Sequence, residues 1–199
     1  MATFRAIAAV SNAVVRLLAS QYQPADFDNT QLEFKVYLAS DFVKSPMTAG
    51  VSVFLYRVYT NNSFRTPGGR PLPDGMRQRS QLPLDLHMLL TAWGKDATLQ
   101  HTITGWMMRI LEDTPSFPPG LLNQWTAGVF RPDETVELTT TDLSTEELFR
   151  IWEVIGVSAY QISVPYVARV IKIESSVPLD DHDAVRMRVF TMGELVANG

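Results

Sequence analysis

The chain has 199 residues, the length of one ordinary domain, with 46% hydrophobic residues, 19% charged residues and a net charge of −4 at pH 7. This composition excludes a disordered chain, and the acidic balance argues against nucleic acid as the main partner because phosphate binding needs clustered Lys and Arg. The absence of cysteine excludes disulfides, thiolate metal sites and a Cys nucleophile. No apolar run reaches the roughly 18 residues that a membrane-spanning helix needs, so we expect no membrane insertion.

The first half of the chain predicts a helix followed by three strands. Residues 1–21 are apolar with polar interruptions at helical spacing, which indicates a folded amphipathic helix and not a signal peptide. Its predicted buried stripe is Phe4, Ile7, Ser11, Val14 and Leu18. Residues 31–38 alternate in polarity and predict a half-buried strand. Its predicted inward side chains are Leu32, Phe34, Val36 and Leu38. Residues 51–60, nearly apolar on both faces, predict a central strand, and residues 82–93 predict a strand with leucines along one face.

Two further helices are predicted in the second half. The first covers residues 97–113 and is stopped by Pro115. Its apolar stripe is Leu99, Ile103, Trp106, Met107 and Ile110. The second begins with a capping-box pattern, Ser144 followed three positions later by Glu147, and ends at Gly156.

Three further strands complete the pattern. Alternating residues predict strands over 134–140, 160–174 and 184–191. Pro165 lies inside the second of these and indicates either an edge strand or a bulge. Runs of strands with helices between some of them favour an α+β fold. We therefore predict a single domain built on one mixed, mostly antiparallel sheet with packed helices.

The histidines are the first candidates for chemistry. Asp85 and His87 are two positions apart on a predicted strand and could face one metal, but no third ligand is nearby, and a polar strand face explains both. His101 lies early in a helix without a carboxylate at helical spacing, and His182 lies in an acidic turn that is typical of a solvated surface. No G-x-S-x-G or phosphate-binding glycine pattern is present. We predict no catalytic, metal or cofactor-binding residues.

Protein contact is the better-supported role for two segments. Residues 61–81 are rich in Pro and Gly and contain one acid, Asp74, among several arginines. The arginines are Arg65, Arg70, Arg77 and Arg79. They favour contact with an acidic partner surface, although the same composition also fits a solvated, flexible loop. Trp125 lies in a second Pro/Gly-rich passage and is a candidate interface anchor. The tryptophans predicted to pack in the core are Trp93, Trp106 and Trp152.

Six stretches, in order along the chain, carry more specific patterns. They are residues 4–10 (FRAIAAV), 53–58 (VFLYRV), 61–65 (NNSFR), 82–93 (LPLDLHMLLTAW), 143–152 (LSTEELFRIW) and 163–170 (SVPYVARV). Together they resemble the cap, or tube-terminator, family of extracellular contractile injection systems, which are relatives of phage tails. PLDLH followed by LLT is the most specific of these patterns, whereas LSTEEL is typical of many helix starts. Residues 175–199 resemble no part of the family pattern.

The resemblance implies a tail-terminator-like fold and a structural, non-enzymatic protein. It implies a homo-hexameric ring on the last layer of the inner tube and sheath, assembled in the bacterial cytoplasm as part of a particle that is later released or held at a membrane. Residues 1–178 would be the terminator domain and residues 179–199 a C-terminal strand or extension. The last predicted strand, with Arg186 and Arg188 on one face, could add to a neighbouring subunit.

Two other functions stay open at the level of the sequence. One is a soluble adaptor that links a particle to a surface, a membrane or a cargo. The other is a hydrolase whose site does not follow a known motif. The sequence favours the terminator over both.

Overall fold

A computed structural model describes residues 2–65, 70–71, 77–156 and 159–177, and the statements below concern these residues. The helices are α1 (Ala6–Gln21), α2 (Asp41–Lys44), α3 (Ala97–Asp113), α4 (Pro119–Leu122) and α5 (Thr145–Ile155). The strands are β1 (Glu33–Tyr37), β2 (Gly50–Thr60), β3 (Arg70–Pro71), β4 (Arg77–Gln78), β5 (Leu82–Trp93), β6 (Ser116–Phe117), β7 (Val136–Thr140) and β8 (Ser163–Ile173).

One six-stranded sheet organises the chain. Its strand order is β1-β2-β5-β8-β7-β6. The β1–β2 pair is parallel, and every other pair is antiparallel. The short strands β3 and β4 form a separate antiparallel pair within the connection from β2 to β5. The structure therefore confirms the predicted α+β domain with a mixed, mostly antiparallel sheet.

Helices cover both faces of the sheet, so the domain has three layers. On one face, α1 and α3 pack on β2, β5 and β8 and enclose the main core. On the other face, α2 and α5 cover a smaller core. Strand β5 contributes to both, because Leu86, Met88 and Leu90 point into the main core while Leu89 and Trp93 point into the smaller one.

The smaller core is largely aromatic. The ring of Phe42, which is fully buried, lies edge-on to Tyr37 at 5.3 Å, to Trp152 at 5.3 Å and to Phe54 at 5.6 Å. Edge-to-face contacts of this kind add to the burial of apolar area. Burial, with the nearby carboxylates of Glu33 and Asp41, raises the pKa of Tyr37 to about 12. The phenol is therefore neutral, and it donates a hydrogen bond to the backbone oxygen of Ser45.

The predicted start of α5 and the predicted apolar stripe of α3 are confirmed. The hydroxyl of Ser144 accepts a hydrogen bond from the backbone N–H of Glu147, whose carboxylate accepts one from the backbone N–H of Ser144. In α3, Ile103, Met107 and Leu111 are buried. Among the described residues, no helix combines the length and the apolar character needed to cross a bilayer.

Three predicted orientations are wrong. Phe4, assigned to the buried stripe of the first helix, precedes α1 and is 76% exposed. Val36 and Leu38, assigned inward, are 41% and 70% exposed. At this end of the edge strand β1 it is Tyr37 that is buried, in the smaller core, and Leu38 lies beyond the end of the strand. The edge-strand alternative for Pro165 also fails, because β8 lies between β5 and β7. The proline is accommodated where β7 stops, next to the pair of Thr140 with Tyr166.

Gly50 lies very close to the neighbouring strand. It starts β2 opposite Glu33 with a φ of 143°, and a Cβ added there would lie 1.9 Å from the backbone oxygen of Glu33. A side chain would have to separate β1 from β2, in a backbone conformation that L residues rarely adopt.

We predict that Gly50→Ala lowers the free energy of unfolding by about 3 kcal/mol or more, from strain and lost strand pairing. Urea denaturation monitored by circular dichroism measures this change. Gly120→Ala is the matched control, since nothing lies within 4 Å of a Cβ added there. Equal stability of the two variants would contradict the role assigned to Gly50.

Candidate interaction surface

The arginine-rich segment is an extension of the hairpin formed by β2 and β5. The two strands pair antiparallel as far as Thr60 and Leu84, and the backbone N–H of Asn61 donates to the oxygen of Pro83 at 3.0 Å. Residues 61–81, which we call the arginine arm, then continue from this end of the sheet. Within the arm, β3 and β4 pair with Arg70 opposite Gln78 and Pro71 opposite Arg77.

The described side chains at the base of the arm are solvent-exposed. Arg65 and Arg79 are exposed, and Phe64 beside them is 49% exposed. For Arg70 and Arg77 the structure describes the backbone. The contact predicted for Arg65, Arg70, Arg77 and Arg79 stays a prediction.

A single carboxylate anchors the base of the arm to the sheet. Asp85 accepts a hydrogen bond from the side-chain amide of Asn61 at 2.9 Å and another from the backbone N–H of Val170 at 2.8 Å. Val170 has a φ of 55°, and the β5–β8 register shifts between Leu84 and Leu86, so this N–H belongs to a bulge in β8. Asp85 therefore stabilises a strained backbone and the start of the arm together.

The sequence does not predict this role of Asp85; its spacing from His87 raises only the alternatives of a shared metal or a polar strand face. The available signal was a lone acid in a strand of leucines, which a buried hydrogen-bond acceptor explains. The ring of His87 packs 6.0 Å from that of Tyr56. Burial, and then the positive charge of Arg57, lower the pKa of His87 and favour its neutral form.

The described part of the chain contains no arrangement suited to metal binding. No group of three or more His, Asp or Glu residues that could hold a metal ion occurs within it. His101 is exposed on α3, while His182 lies outside the described residues. An open groove of about 490 Å³ between β7 and β8 contains acids and bases, yet Glu137 and Arg169 lie directly opposite each other across the strands. Opposite charges at facing positions of an antiparallel pair are a common stabilising arrangement in a sheet.

A second candidate surface lies beside α5 on the opposite side of the sheet from α1 and α3. A groove of about 300 Å³ runs between this helix and β2. Its lining is Phe54, Tyr56, Arg150, Ile151, Val154 and Ile155. Val154 is 84% exposed on the helix and Val43 is 58% exposed near its end. We call this surface the α5 groove.

The charged residue that lines the α5 groove is Arg150, which pairs with Glu146 at 2.7 Å. Glu153 is also exposed on α5. Between residues that the structure describes, no salt bridge involves Glu153. The groove itself is thus mainly apolar, with a paired arginine at its side.

Trp125 lies on a closed loop between α4 and β7. The side chain of Asn123 closes this loop with two hydrogen bonds to the backbone of Phe130, each of 2.9 Å. Trp125 is 43% exposed, whereas Trp93 and Trp152 are buried and Trp106 packs against the main core. The predicted contrast between Trp125 and the three core tryptophans is confirmed. Arg186 and Arg188, with the strand predicted over residues 184–191, lie outside the described residues.

Comparison with known proteins identifies the family to which this chain belongs. Residues 9–186 match the sequence profile of the Pvc16 N-terminal domain, which covers well over half of the chain. The chain belongs to the Pvc16 N-terminal domain family. No curated protein sequence gives a significant match to it.

Solved structures with a similar fold include two from contractile particles. One is the sheath/tube terminator of the PVC extracellular contractile injection system in its extended state, with a TM-score of 0.61 and 14% identity over 96% of this chain and 65% of that one. Another is the tube-terminating cap of the anti-feeding prophage, with a TM-score of 0.53 and 18% identity over 92% of this chain and 60% of that one. The chain therefore spans less than two thirds of either protein's length, and at these identities the likeness shows the fold.

We predict that Asp85→Ala destabilises the domain by about 2 kcal/mol, since it leaves the half-buried N–H of Val170 without its charged acceptor. Asp85→Asn keeps an acceptor oxygen and should cost less than about 1 kcal/mol. Hydrogen exchange of the Val170 amide, read by NMR, should accelerate in the alanine variant. Asp113→Ala removes an exposed carboxylate paired with Arg109 and serves as the control with little expected change. Unchanged exchange at Val170 in Asp85→Ala would contradict the anchoring role.

Proposed function

We propose that this chain is a structural terminator subunit of a contractile injection system. The observation that carries the proposal is the match of residues 9–186 to the Pvc16 N-terminal domain. The similarity of the whole fold to a sheath/tube terminator and to a tube-terminating cap supports it. In the proposed role, copies of the chain bind the last layer of the inner tube and sheath and stop further polymerisation.

We further propose that the working form is a homo-hexameric ring. A ring needs two different and complementary faces on each subunit, because a heterologous contact closes only after a full turn. The exposed arginines Arg65 and Arg79 and the mainly apolar α5 groove are two surfaces of unlike character that could serve such a contact.

The remaining parts of the proposal concern organisation and location. Residues 1–178 would form the terminator domain, and residues 179–199 would provide a C-terminal strand or extension that adds to a neighbour. Assembly would take place in the bacterial cytoplasm, without nucleic acid or a cofactor. We propose no catalytic activity.

Deletion of the gene tests the terminator role directly. We expect electron micrographs of the mutant's particles to show tubes of irregular, excessive length or tubes that have lost their sheath, since nothing then stops polymerisation. Expression of the wild-type chain from a plasmid should restore uniform capped particles. Normal capped particles in the deletion strain would contradict the role and favour a soluble adaptor.

The arginine arm provides a second test. Arg77→Glu combined with Arg79→Glu should reduce the fraction of capped particles severalfold, because it reverses the charge that a neighbouring or tube surface must match. The matched control is Lys95→Glu, an exposed charge reversal just past the opposite end of β5. Equal capping by the arm variant and the control would remove the arm from the proposed contact.

A further inference from the structure

Half of strand β2 has no strand partner on its outer side. Strand β1 pairs with β2 only from Gly50 to Phe54, and among the described residues no other strand continues this side of the sheet. Residues 55–60 (LYRVYT) therefore form an open stretch of strand, which we call the β2 edge. Natural sheets often protect exposed edges with several charged residues or a proline, whereas this stretch contains one charge, on Arg57, and no proline.

The backbone of the β2 edge directs hydrogen-bonding groups outward. The N–H of Asn61 donates to the oxygen of Pro83, so Asn61 faces β5. Hydrogen-bonded and non-hydrogen-bonded positions alternate back from this residue along the antiparallel pair of β2 with β5. The backbone N–H and C=O groups of Val58 and Thr60 accordingly point away from β5, and the side chain of Val58 is 45% exposed. An extended backbone can pair with these groups as an added strand.

The α5 groove adjoins the β2 edge. Its floor is Phe54 and Tyr56, and its described lining includes no residue of β5, so the groove opens on the outer side of β2. Ile151 and Val154 form its helical wall, and Val154 is 84% exposed. Side chains of a strand alternate between the two faces of a sheet, so every second side chain of an added strand would enter the space between β2 and α5. The site thus offers both backbone pairing and an apolar pocket.

A bulge in β2 brings a positive charge to the same side of the sheet. The pairing with β5 shifts register between Leu55 and Arg57. Leu55 is opposite Met88 on the side of the main core, whereas Arg57 is opposite His87 on the side of α5. Without the extra residue, Arg57 would lie on the side of the main core. The exposed guanidinium of Arg57 lies 5.0 Å from the ring centre of Tyr59, and it forms no salt bridge with a described carboxylate.

From these features we propose that the β2 edge and the α5 groove together bind an extended segment of a different protein as an added strand. The segment contains apolar side chains at two alternate positions, which fill the groove, and an acidic side chain at the next alternate position, which faces Arg57. Backbone hydrogen bonds provide affinity for an extended chain, while the groove and the arginine select its side chains. The inference goes beyond the proposed function and does not depend on it, because the binding is a property of the purified chain.

The composition of the chain favours a different protein over a second copy as the partner. Every described strand already belongs to one of the two sheets. The strand predicted over residues 184–191 contains Arg186 and Arg188 and no acid, so it would bring like charge to Arg57, which is unfavourable between neighbouring strands. A ring of copies would then close through surfaces other than the α5 groove.

An NMR titration of the purified, isotope-labelled chain tests the proposal with a defined probe. The probe is the capped peptide TVTVTET, which presents two valines and a glutamate on one side of an extended strand. The reversed peptide TETVTVT presents the same side chains to a strand that runs in the opposite direction. We expect one of the two to slow hydrogen exchange of the Val58 and Thr60 amides severalfold. The amides of Arg57 and Tyr59, which face β5, should change little.

Three variants of the chain examine the three parts of the site. Val58→Pro removes an outward N–H and no bond to β5, and Val154→Glu places a charge on the exposed wall of the groove. Each should weaken binding of the peptide by about tenfold or more. Arg57→Glu should reverse the preference between TVTVTET and TVTVTKT, in which lysine replaces glutamate. The matched control is Gln21→Glu, which adds the same charge at an exposed position of α1, on the other face of the sheet; its affinity should stay within about twofold of wild type.

Several outcomes would overturn the proposal. One is a folded chain that binds neither peptide at about 1 mM. Another is protection of the Arg57 and Tyr59 amides in place of those of Val58 and Thr60. Wild-type affinity in both Val58→Pro and Val154→Glu would exclude the site. If unlabelled chain, added in place of the peptide, protects Val58 and Thr60, the β2 edge belongs to a second copy and the choice of partner is wrong. Normal capped particles in the deletion strain would remove the terminator role and leave these binding results in force.

Discussion

Strand β5 is the element on which the rest of the domain depends. It is hydrogen-bonded to β2 on one edge and to β8 on the other, and its side chains enter the main core on one face and the aromatic core on the other. Because both edges of β5 are hydrogen-bonded and a core lies on each of its faces, the strand cannot shift register without moving buried side chains on both sides of the sheet. The positions of α1 and α3 on one face and of α5 on the other are therefore set by the same strand.

Both candidate surfaces depend on this strand. The arginine arm begins where the β2–β5 hairpin stops pairing, and the carboxylate of Asp85 on β5 binds its first residue. The α5 groove exists because Trp152 and Ile155 hold α5 against Leu89 and Trp93, which leaves Val154 on the outer side of the helix. The base of the arm at Asn61 and the packed face of α5 are thus both tied to the same strand.

Features of the fold that depend on local sequence could be predicted. Features that depend on how several elements pack together could not. The apolar stripe of α3, the capping box at Ser144 and the leucine row of β5 are set by local sequence, and the structure confirms them. Phe4, Val36 and Leu38 are apolar and suitably spaced, but Phe4 precedes the helix and the other two lie at the edge of the sheet, where apolar spacing alone does not decide burial. The pairing of β1 with β2 in parallel is likewise invisible in either strand alone.

The same distinction applies to the candidate surfaces. Composition alone identifies residues 61–81 as an interface candidate, because arginines among Pro and Gly are unusual in a core. Trp125 is identified in the same way, since it too lies in a Pro/Gly-rich passage. The α5 groove was not predicted, since its floor comes from β2 and its rim from a helix that follows about ninety residues later. The sequence pattern raises metal binding as the possible role of Asp85. In the structure its partners are Asn61 and the backbone of Val170, and no spacing in the sequence predicts the bulge that brings them together.

The low sequence identity to the similar structures shows how little of the sequence this architecture requires to be the same. A fold match over 96% of the chain at 14% identity means that few side chains need to be the same for the layers to pack. Cores tolerate exchange of apolar residues when volume and pattern are retained. The two layers of helices can therefore keep their places on the sheet while most of the side chains between them change. Divergence of this kind is consistent with one fold shared at low identity.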